Sequence, residues 1–259
     1  MTAAVDAPPG TRISVCVLAC NEADELERCI GSISEWADEI VVVVDAKSVD
    51  GSEAVARRMA HRVEVRPYAG DVDQKRYCVG LAKNDWAFIL DPDEVVTRTL
   101  GRTIRAALVQ AEPDVAGYRV NRATYHLGRW IRNGDFYPDW KLRLFRRSRA
   151  RWVGRDPHGR IEVDGSVRDL DGDLEHHSYR DLADQITRIQ FFSDQAAAAL
   201  AADGVPFRVR HLVLRPPARF LKTYLLRQGF RDGLPGFVIS VASAFYVFLK
   251  YAKLWEKSR

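Results

Sequence analysis

The segment ISVCVLACNEADELERCIGSISEWADEIVVVVD, residues 13–45, contains the unit that decides the fold. Its two ends are short apolar runs rich in β-branched residues, which are typical of buried strands. Between them Leu26, Ile30 and Ile33 recur at helical spacing, and acidic residues occupy the first turn, where they suit the helix dipole. The segment therefore predicts a strand, a helix and a second strand.

The same alternation continues to residue 90. The runs DGSEAVARRMAH (50–61) and DVDQKRYCVGLAKN (71–84) predict helices, while RVEVRPY (62–68) and WAFIL (86–90) predict strands. Four strands separated by helices predict an α/β fold with a mostly parallel sheet, right-handed crossovers and helices on both faces. Ligands of such sheets bind beyond the carboxyl ends of the strands.

Two helices have a predicted buried face. In the helix over 71–84 the residues expected to face the core are Val72, Tyr77, Leu81 and Ala82. A further helix is predicted over 181–204, with an apolar stripe of Leu182, Ile186, Ile189 and Phe192 and a stop at Gly204.

The pattern changes after residue 101, where apolar and basic residues alternate as in half-exposed antiparallel strands. The sequence thus predicts a disordered leader over 1–12, an α/β domain over 13–180 and a basic helical region over 181–259.

The charge of the chain is unevenly distributed. The net charge is +4, but residues 204–259 contain eleven Lys and Arg and two acids, or +9, which leaves −5 for the rest. The apolar run 237–249 is too short to span a bilayer and is flanked by basic residues, with Tyr251 and Trp255 after it. We expect a helix lying in the plane of an anionic membrane surface, or a core helix packed on the sheet. Nucleic acid is not an expected partner, because the aromatic residues lie within the apolar runs.

Several other classes are excluded by motif. The four cysteines, Cys16, Cys20, Cys29 and Cys78, form no CxxC pair, so we expect buried reduced thiols rather than a zinc site or disulfides. The chain has no GxGxxG, GxxxxGK[ST] or GxSxG motif, which leaves dinucleotide-binding, P-loop and serine-hydrolase functions without support.

An acidic cluster follows the fourth predicted strand, at Asp91, Asp93 and Glu94 in DPDE. Hard divalent cations such as Mn²⁺ and Mg²⁺ prefer carboxylate oxygens, and a bound cation can bridge to a diphosphate leaving group. Alternatively, Asp93 and Glu94 cap a following helix.

Four segments in this order carry a family resemblance: ISVCVLACNEADELERCIGSI, EIVVVVDAKSVDGS, YAGDVDQKRYCVGLAKNDWAFILDPDE and RWIRNGDFYPDWKLRLFRR. Together they resemble the inverting family 2 glycosyltransferases of fold type GT-A, especially lipopolysaccharide-core β-glucosyltransferase-like proteins. The resemblance extends from Ile13 to about Lys253. It implies a hexosyltransferase that uses a nucleotide-sugar donor and Mn²⁺ or Mg²⁺.

The resemblance also implies roles for individual residues. Asp45 would recognise the base, and Asn21 and Glu22 would line the nucleotide pocket. Asp91 and Asp93 would be the DxD metal ligands, with Asp91 also near the ribose or sugar. Lys75 would face the diphosphate, unless it is a solvated helix lysine, and Asp50 is first of all a turn and N-cap residue. The segment LEHHSY offers one imidazole of the His176–His177 pair, assigned here to His177, as a further metal ligand, with an ordinary loop histidine as the alternative.

The general base is less well defined. Relatives carry a VHE segment after the RLF strand, but this chain has RDPHGRIEV, so His158 matches the histidine and Gly159 replaces the acid. The candidates for the base are His158, Asp156 and Asp139, together with Asp135 and Glu162. An inverting transfer needs one such group to deprotonate the acceptor hydroxyl.

The expected function is sugar transfer to a lipid- or glycan-linked acceptor in cell-envelope glycan synthesis, at the cytoplasmic face of the inner or plasma membrane. Trp130, Phe136 and Tyr137, near Arg132 and Arg143, suit an acceptor that is a sugar on a phosphate-bearing carrier, or they belong to a half-buried sheet. The alternatives are a sugar nucleotidyltransferase and a non-catalytic, membrane-bound nucleotide-sugar-binding relative.

Overall fold

The computed structural model describes residues 10–154 and 159–259, which form two compact units. The first unit contains residues up to 122 together with 140–176, and the second contains 123–139 together with 177–259. Residues 123–139, which fall within the α/β domain predicted over 13–180, group with the C-terminal helices in the structure.

The strands are β1 (Ile13–Ala19), β2 (Glu39–Asp45), β3 (Arg62–Arg66), β4 (Trp86–Leu90), β5 (Glu94–Val96), β6 (Val115–His126), β7 (Arg129–Trp130), β8 (Trp140–Arg146), β9 (Ala150–Val153), β10 (Arg160–Val163) and β11 (Ser166–His176). The helices are α1 (Ala23–Ile33), α2 (Ser52–Met59), α3 (Asp71–Leu81), α4 (Arg98–Val109), α5 (Leu182–Ala202), α6 (Val209–Leu221) and α7 (Gly233–Lys257). Short 3₁₀ turns cover Arg147–Arg149 and Gly229–Asp232, and a π turn covers Lys222–Leu226.

The main sheet has the strand order β3-β2-β1-β4-β8-β6-β11-β5. The pairs β3–β2, β2–β1 and β1–β4 are parallel, as the alternation of strands and helices predicts. Beyond β4 the pairs β4–β8, β8–β6 and β11–β5 are antiparallel. The short strand β7 pairs with β6, and β9 pairs with β10 in a separate two-stranded sheet.

Both faces of the parallel strands are covered, as expected. On one face Val15, Val17 and Val42 pack with Leu26 and Ile30 of α1. On the other face α3 packs on the sheet, and its thiol and valine, Cys78 and Val79, join a second cluster of buried residues. Since β1, β2 and β4 are buried on both sides, these three strands show little alternation of polar and apolar residues, in contrast to the edge strand β3.

The predicted buried face of α3 was right only in part: Ala82 is buried and Leu81 packs against the same cluster, but Tyr77 does not face the core. The buried residues of this helix are Gln74 and, four and five positions after it, Cys78 and Val79, while Tyr77 is exposed. The Tyr77 ring lies at the surface, with the Arg66 guanidinium 4.3 Å from its centroid. The small side chains of Cys78 and Val79 fit against the strands, whereas Tyr77 keeps its hydroxyl near water.

The predicted apolar stripe of α5 was also largely wrong, because only Ile189 of its four residues is buried. The buried side of α5 otherwise consists of Gln185, Ser193 and Ala197. Small side chains let α5 approach α7 closely, and Lys253 of α7 reaches across to donate to Ser193 Oγ at 2.8 Å.

The second unit is built around α7, which packs against α5 and α6. This helix is longer than the apolar run on which the sequence prediction rested. Within the described residues, 229–257 form one helical stretch that is long and apolar enough to cross a membrane, judged by length and composition alone.

Candidate active site

The polar residues predicted to share one edge of the sheet follow the carboxyl ends of three neighbouring parallel strands. Asn21 and Glu22 follow β1, Asp45 ends β2, and Asp91 follows β4. These strands are adjacent in the order β2-β1-β4, so the structure brings the three positions to one edge in the first unit.

The loops after β1 and β2 are fixed to each other by Asp50. Its Oδ2 accepts from Ala23 N at 2.8 Å, and its Oδ1 accepts from Ser52 N and Ser52 Oγ at 3.0 and 2.6 Å. Although burial would raise the pKa of Asp50, the donors from Ser52 and Ala23 lower it. Asp50 thus has the capping role expected of it, but it caps α1 from across the chain.

Asn21 adopts a left-handed backbone conformation, with φ of 56°. Asparagine tolerates this region better than most residues, since its short side chain bonds locally. Its Oδ1 accepts from Val49 N at 2.9 Å, and its own N donates to Ser48 Oγ at 3.2 Å. The loop conformation at the predicted nucleotide pocket is therefore held by hydrogen bonds before any ligand binds.

Cys20 was expected to be buried but is exposed at this edge. Its Sγ lies 3.6 Å from Oδ2 of the buried Asp45, whose Oδ1 accepts from Lys47 N at 3.1 Å. Partial burial and the neighbouring charge of Asp45 raise the pKa of the Cys20 thiol. The thiol is therefore a neutral donor to Asp45 rather than a nucleophile.

Asp91 is held between two cations. Its Oδ2 accepts from Arg143 Nη2 at 2.8 Å, and its Oδ1 lies 3.4 Å from Lys75 Nζ. Burial would raise the pKa of Asp91, but the charges of Arg143 and Lys75 lower it more, so it lies well below its usual range. Asp91 is ionised, and the structure places Lys75 beside it instead of in solvent.

Glu94 is fully buried below Asp91, and its Oε1 also accepts from Arg143 Nη2. Arg122 Nη1 lies 3.6 Å from the same oxygen. Burial raises the pKa of Glu94 despite the charge of Arg143. Glu94 belongs to β5, and the cap of α4 is Thr97, whose Oγ1 accepts from Leu100 N. The helix-capping alternative for the acidic cluster is therefore wrong.

The imidazole beside Asp93 is that of His176. The antiparallel register of β11 and β5 pairs His176 with Glu94, and this places His176 Nε2 3.3 Å from Asp93 Oδ2. His177, to which the sequence analysis assigned this role, is the next residue and belongs to the second unit. Its ring packs on Tyr125 and Trp130, with centroid distances of 5.7 and 5.6 Å.

Glu22 shares the edge with these carboxylates. Its Oε2 accepts from Cys20 N at 3.2 Å. Burial, with a further contribution from the charge of Asp93, raises the pKa of Glu22 to about 7. Glu22 therefore changes charge near neutral pH.

The donor set fits a divalent cation only in part. Within residues 10–154 and 159–259, no three His, Cys, Asp or Glu side chains converge as a ready-made metal site. Asp93 and His176 supply one carboxylate and one imidazole, while both oxygens of Asp91 face cations. Mg²⁺ is commonly bound by one or two carboxylates completed by substrate phosphates and water, so this pair fits such an ion.

Comparison with known proteins identifies the family. Residues 14–166, more than half of the chain, match the profile of "Glycosyl transferase family 2". The chain belongs to glycosyltransferase family 2. It is 28% identical to the lipopolysaccharide core biosynthesis glycosyltransferase LpsC of Rhizobium meliloti, over 96% of this chain and 94% of the relative. It is 30% identical to an uncharacterised glycosyltransferase of Rickettsia felis, over 95% and 90%.

The fold is confirmed as GT-A with a C-terminal helical region. A solved structure of glucosyl-3-phosphoglycerate synthase from Mycobacterium tuberculosis, with Mn²⁺, UDP-glucose and phosphoglyceric acid, matches with a TM-score of 0.50. The two chains are 16% identical, and the match covers 75% of this chain and 80% of that one. The family match makes this glycosyltransferase an enzyme of the predicted class, in place of the nucleotidyltransferase alternative.

The candidates for the general base of this family 2 enzyme separate into two groups. Asp156 and His158 lie outside the described residues, and Asp139 lies in the second unit. Glu162 accepts from Arg160 and Arg151, and these hydrogen bonds lower its pKa, which makes it a poor base.

Asp135 is also fully engaged. Its two oxygens accept from Thr223 Oγ1 at 2.6 Å, from Ser243 Oγ at 3.0 Å and from Arg227 and Arg219 at 2.7 and 2.8 Å. Asp135 therefore fixes the segment 123–139 to the C-terminal helices and has no oxygen available for an acceptor hydroxyl.

A second buried acid, Asp232, holds the same segment. Its carboxylate accepts from Arg132 N and from Asn133 N, the latter at 2.8 Å. Arg129 Nη1 donates to its backbone oxygen at 3.0 Å. The segment that carries Asp139 is thus shaped by α7 and the turn before it, which sequence spacing did not reveal.

Proposed function

We propose that this glycosyltransferase is an inverting, metal-dependent enzyme that transfers a sugar from a UDP- or GDP-linked donor to a lipid- or glycan-linked acceptor in cell-envelope glycan synthesis. The observation that carries the proposal is the pair Asp93–His176 beside the cationic pair Lys75–Arg143, at the carboxyl edge of the parallel strands. Two metal-binding groups and two phosphate-binding groups then meet where such sheets bind ligands.

In this proposal Asp93 and His176 hold the cation, and Asp91 orients Lys75 and Arg143. A divalent cation neutralises a diphosphate and stabilises it as a leaving group. Lys75 adds a positive charge for the diphosphate on the other side of Asp91. The hydrogen-bonded loops that carry Asn21 and Asp45 receive the nucleoside, at little ordering cost because they are already fixed.

The general base is Asp139, Asp156 or His158 in this proposal, since Asp135 and Glu162 are occupied by arginines. A base is needed only to deprotonate the acceptor hydroxyl as it attacks the anomeric carbon, and this breaks the bond to the nucleoside diphosphate.

The acceptor class rests on the homology to a lipopolysaccharide core glycosyltransferase and on the aromatic residues of the second unit. Phe136 stacks with Tyr179 at 6.2 Å, and Arg132 lies over the Tyr137 ring at 5.0 Å. Aromatic rings with arginine suit a sugar that bears phosphate.

Attachment to the cytoplasmic membrane face is part of the proposal. Along α7, five large apolar side chains at helical spacing are exposed: Leu234, Phe237, Val241, Phe245 and Phe248. Leu225 and Leu226 extend this apolar surface, and Leu226 is 80% exposed. Exposed Lys222 and the basic composition of the C-terminal region complement anionic lipid.

An in-plane, peripheral attachment fits α7 better than a spanning one. The opposite side of this helix, which carries Gly236, Ile239 and Ser240, is buried, and α7 packs on α5 and α6. Lys253, near its end, donates to Gln190 O and Ser193 Oγ of α5. A helix held on one side by protein presents only its other side to lipid.

The donor proposal is tested by calorimetric titration of UDP and GDP, each with and without Mn²⁺. Wild type should bind one nucleotide in a metal-dependent manner, and Asp93→Asn and Asp91→Asn should each lose that binding. Asp169→Asn, which removes an exposed partner of Arg119, is the matched control. Metal-independent binding, or equal binding by Asp93→Asn, would overturn the proposal. Release of free nucleoside diphosphate during turnover would identify glycosyl transfer.

A further inference from the structure

A cavity lies in the first unit between the end of α1 and the beginning of α4. Its volume is about 790 Å³, and Trp36, Glu35, Arg98, Arg102 and Arg105 are among the residues that line it. None of the lining residues belongs to the donor site. The cavity is at the carboxyl end of α1, whereas Glu22 precedes the amino end, about 15 Å away at 1.5 Å per residue.

The three arginines lie on one side of α4, at positions i, i+4 and i+7. Arg105 is fixed, because its Nη1 donates to Asp38 Oδ2 at 2.8 Å. Across residues 10–154 and 159–259, neither Arg98 nor Arg102 has an acidic partner, and both are exposed. The cavity therefore contains two exposed arginines that form no ion pair with any acid in the described part of the chain.

This arrangement contradicts the local rules of helix stability. Arg98 is the first residue of α4, where the helix dipole disfavours positive charge, and the first turn contains no acid. Arg98 and Arg102 also form a like-charge i,i+4 pair, which destabilises a helix. Unfavourable charges beside a cavity, without compensation, are expected at ligand sites.

The other walls favour a ligand larger than a simple ion. An added Cβ at Gly101 would lie 3.1 Å from Trp36 Nε1, so the glycine lets the indole pack directly on α4. Trp36 and Val96 supply apolar surface, and the Glu35 carboxylate can accept hydrogen bonds from hydroxyls. Arginines bind phosphate and carboxylate groups bidentately.

We propose that the cavity between α1 and α4, with Arg98, Arg102 and Trp36, is a second binding site for a sugar that carries a phosphate. The site is separate from the donor site. Its ligand is either a free sugar phosphate or a phosphorylated sugar residue within a longer glycan.

The experiment measures the thermal unfolding midpoint of the full chain with glucose 6-phosphate, inorganic phosphate, glucose or chloride, at matched ionic strength. Glucose 6-phosphate should raise the midpoint of wild type by about 3 °C at concentrations far above its Kd. The double variant Arg98→Ala/Arg102→Ala should lose this shift, while Lys83→Ala, an exposed lysine in the same unit, should keep it.

Ligand-free stability separates a binding role from a structural one. Without ligand and at low salt, the double variant should unfold at the same temperature as wild type or higher, because like charges have been removed. A lower midpoint would overturn the proposal, as would an equal glucose 6-phosphate shift in wild type and double variant. An equal shift with inorganic phosphate would mean an anion site without sugar recognition and would also overturn it.

The same variants distinguish the two ligand sources and the donor site. Calorimetry with glucose 6-phosphate and with a phosphorylated mannan oligosaccharide identifies which form binds. Binding of either form supports the site if the double variant no longer binds that form. UDP binding with Mn²⁺ should be unchanged in the double variant. If the double variant lost UDP binding, these arginines would belong to the donor site, and the proposal of a separate site would be overturned.

Discussion

His176 Nε2 lies 3.3 Å from Asp93 Oδ2, because the last residue of β11 is paired with the first residue of β5. The acid comes from the DPDE loop and the imidazole from a strand more than eighty residues later in the chain. Asp91, the other acid of the motif, instead bonds to Arg143 and Lys75. The two acids of one short motif therefore have different partners.

The first prediction concerns the imidazole. His176→Ala should weaken Mn²⁺-dependent UDP binding by about tenfold or more, because one of two protein donors is lost. His177→Ala should leave Mn²⁺ affinity within about twofold of wild type, since its ring packs on Tyr125 and Trp130. Electron paramagnetic resonance of free Mn²⁺ measures both affinities. The reverse order of effects would return the metal-ligand role to His177.

The second prediction concerns the buried guanidinium. Arg143→Met should cost about 3–5 kcal/mol of unfolding free energy, because Asp91 and Glu94 lose their shared partner in a buried place. Arg119→Met, which breaks an exposed pair with Asp169, should cost less than about 1 kcal/mol. Urea unfolding compares the two variants. Equal costs would mean that the Arg143 pairs contribute no more than a surface ion pair.

The third prediction concerns the protonation of Glu22. The pKa of this group is about 7 in the folded protein and 4.5 in the ordinary reference state. The folded state therefore binds the proton more tightly, so the contribution to stability is full below pH 4.5 and is lost as pH rises through 7. Glu22→Gln should be more stable than wild type at pH 8, by on the order of 1 kcal/mol.

Urea unfolding of wild type and Glu22→Gln at pH 5 and pH 8 measures this difference. At pH 5 the two proteins should have similar stability, because wild-type Glu22 is then protonated when folded. Glu27→Gln, which changes an exposed acid of the same helix, is the control. A constant difference between wild type and Glu22→Gln at both pH values would contradict the prediction.

The fourth prediction concerns Gly159, which stands where the family resemblance implies an acid. A Cβ at Gly159 would overlap with Val72 Cγ2, so Val72 occupies the space that a side chain would need. Gly159→Ala should cost about 1–3 kcal/mol by overpacking, and Val72→Ala in the same chain should recover most of it. Thermal unfolding of both single variants and the double variant tests this coupling, and simple additivity would count against it.

The fifth prediction concerns the apolar surface of the second unit. Leu226→Ser/Leu234→Ser should reduce binding to phosphatidylglycerol-containing vesicles by about tenfold, since two exposed leucines no longer enter lipid. Val109→Ser, an equally exposed position in the first unit, should have no effect. Vesicle flotation measures the bound fraction. Equal binding to neutral vesicles, or no binding to either kind of vesicle, would contradict a surface that binds anionic lipid. If wild type dimerised and the leucine variant did not, the apolar surface would bind a second copy of the chain instead.

Much of the first unit could be predicted because its signals are local. The apolar runs that became β1, β2 and β4 are buried on both faces, so composition alone identified them. The rule that parallel strands end at one edge then brought Asn21, Asp45 and Asp91 together before the structure was known. Helix faces were predicted less well, because Tyr77 and Phe192 count as apolar by composition but lie at the surface.

The sequence by itself determined which strands are buried, the direction of the parallel ones and the acidic edge at their ends, because each depends on residues near one another in the chain. Only the tertiary structure decided that Asp91 bonds to Arg143, that His176 faces Asp93 and that Asp135 and Asp232 clamp residues 123–139. Those pairings join residues about fifty to one hundred positions apart. Their geometry is set by strand register and helix packing, which no local pattern of residues specifies.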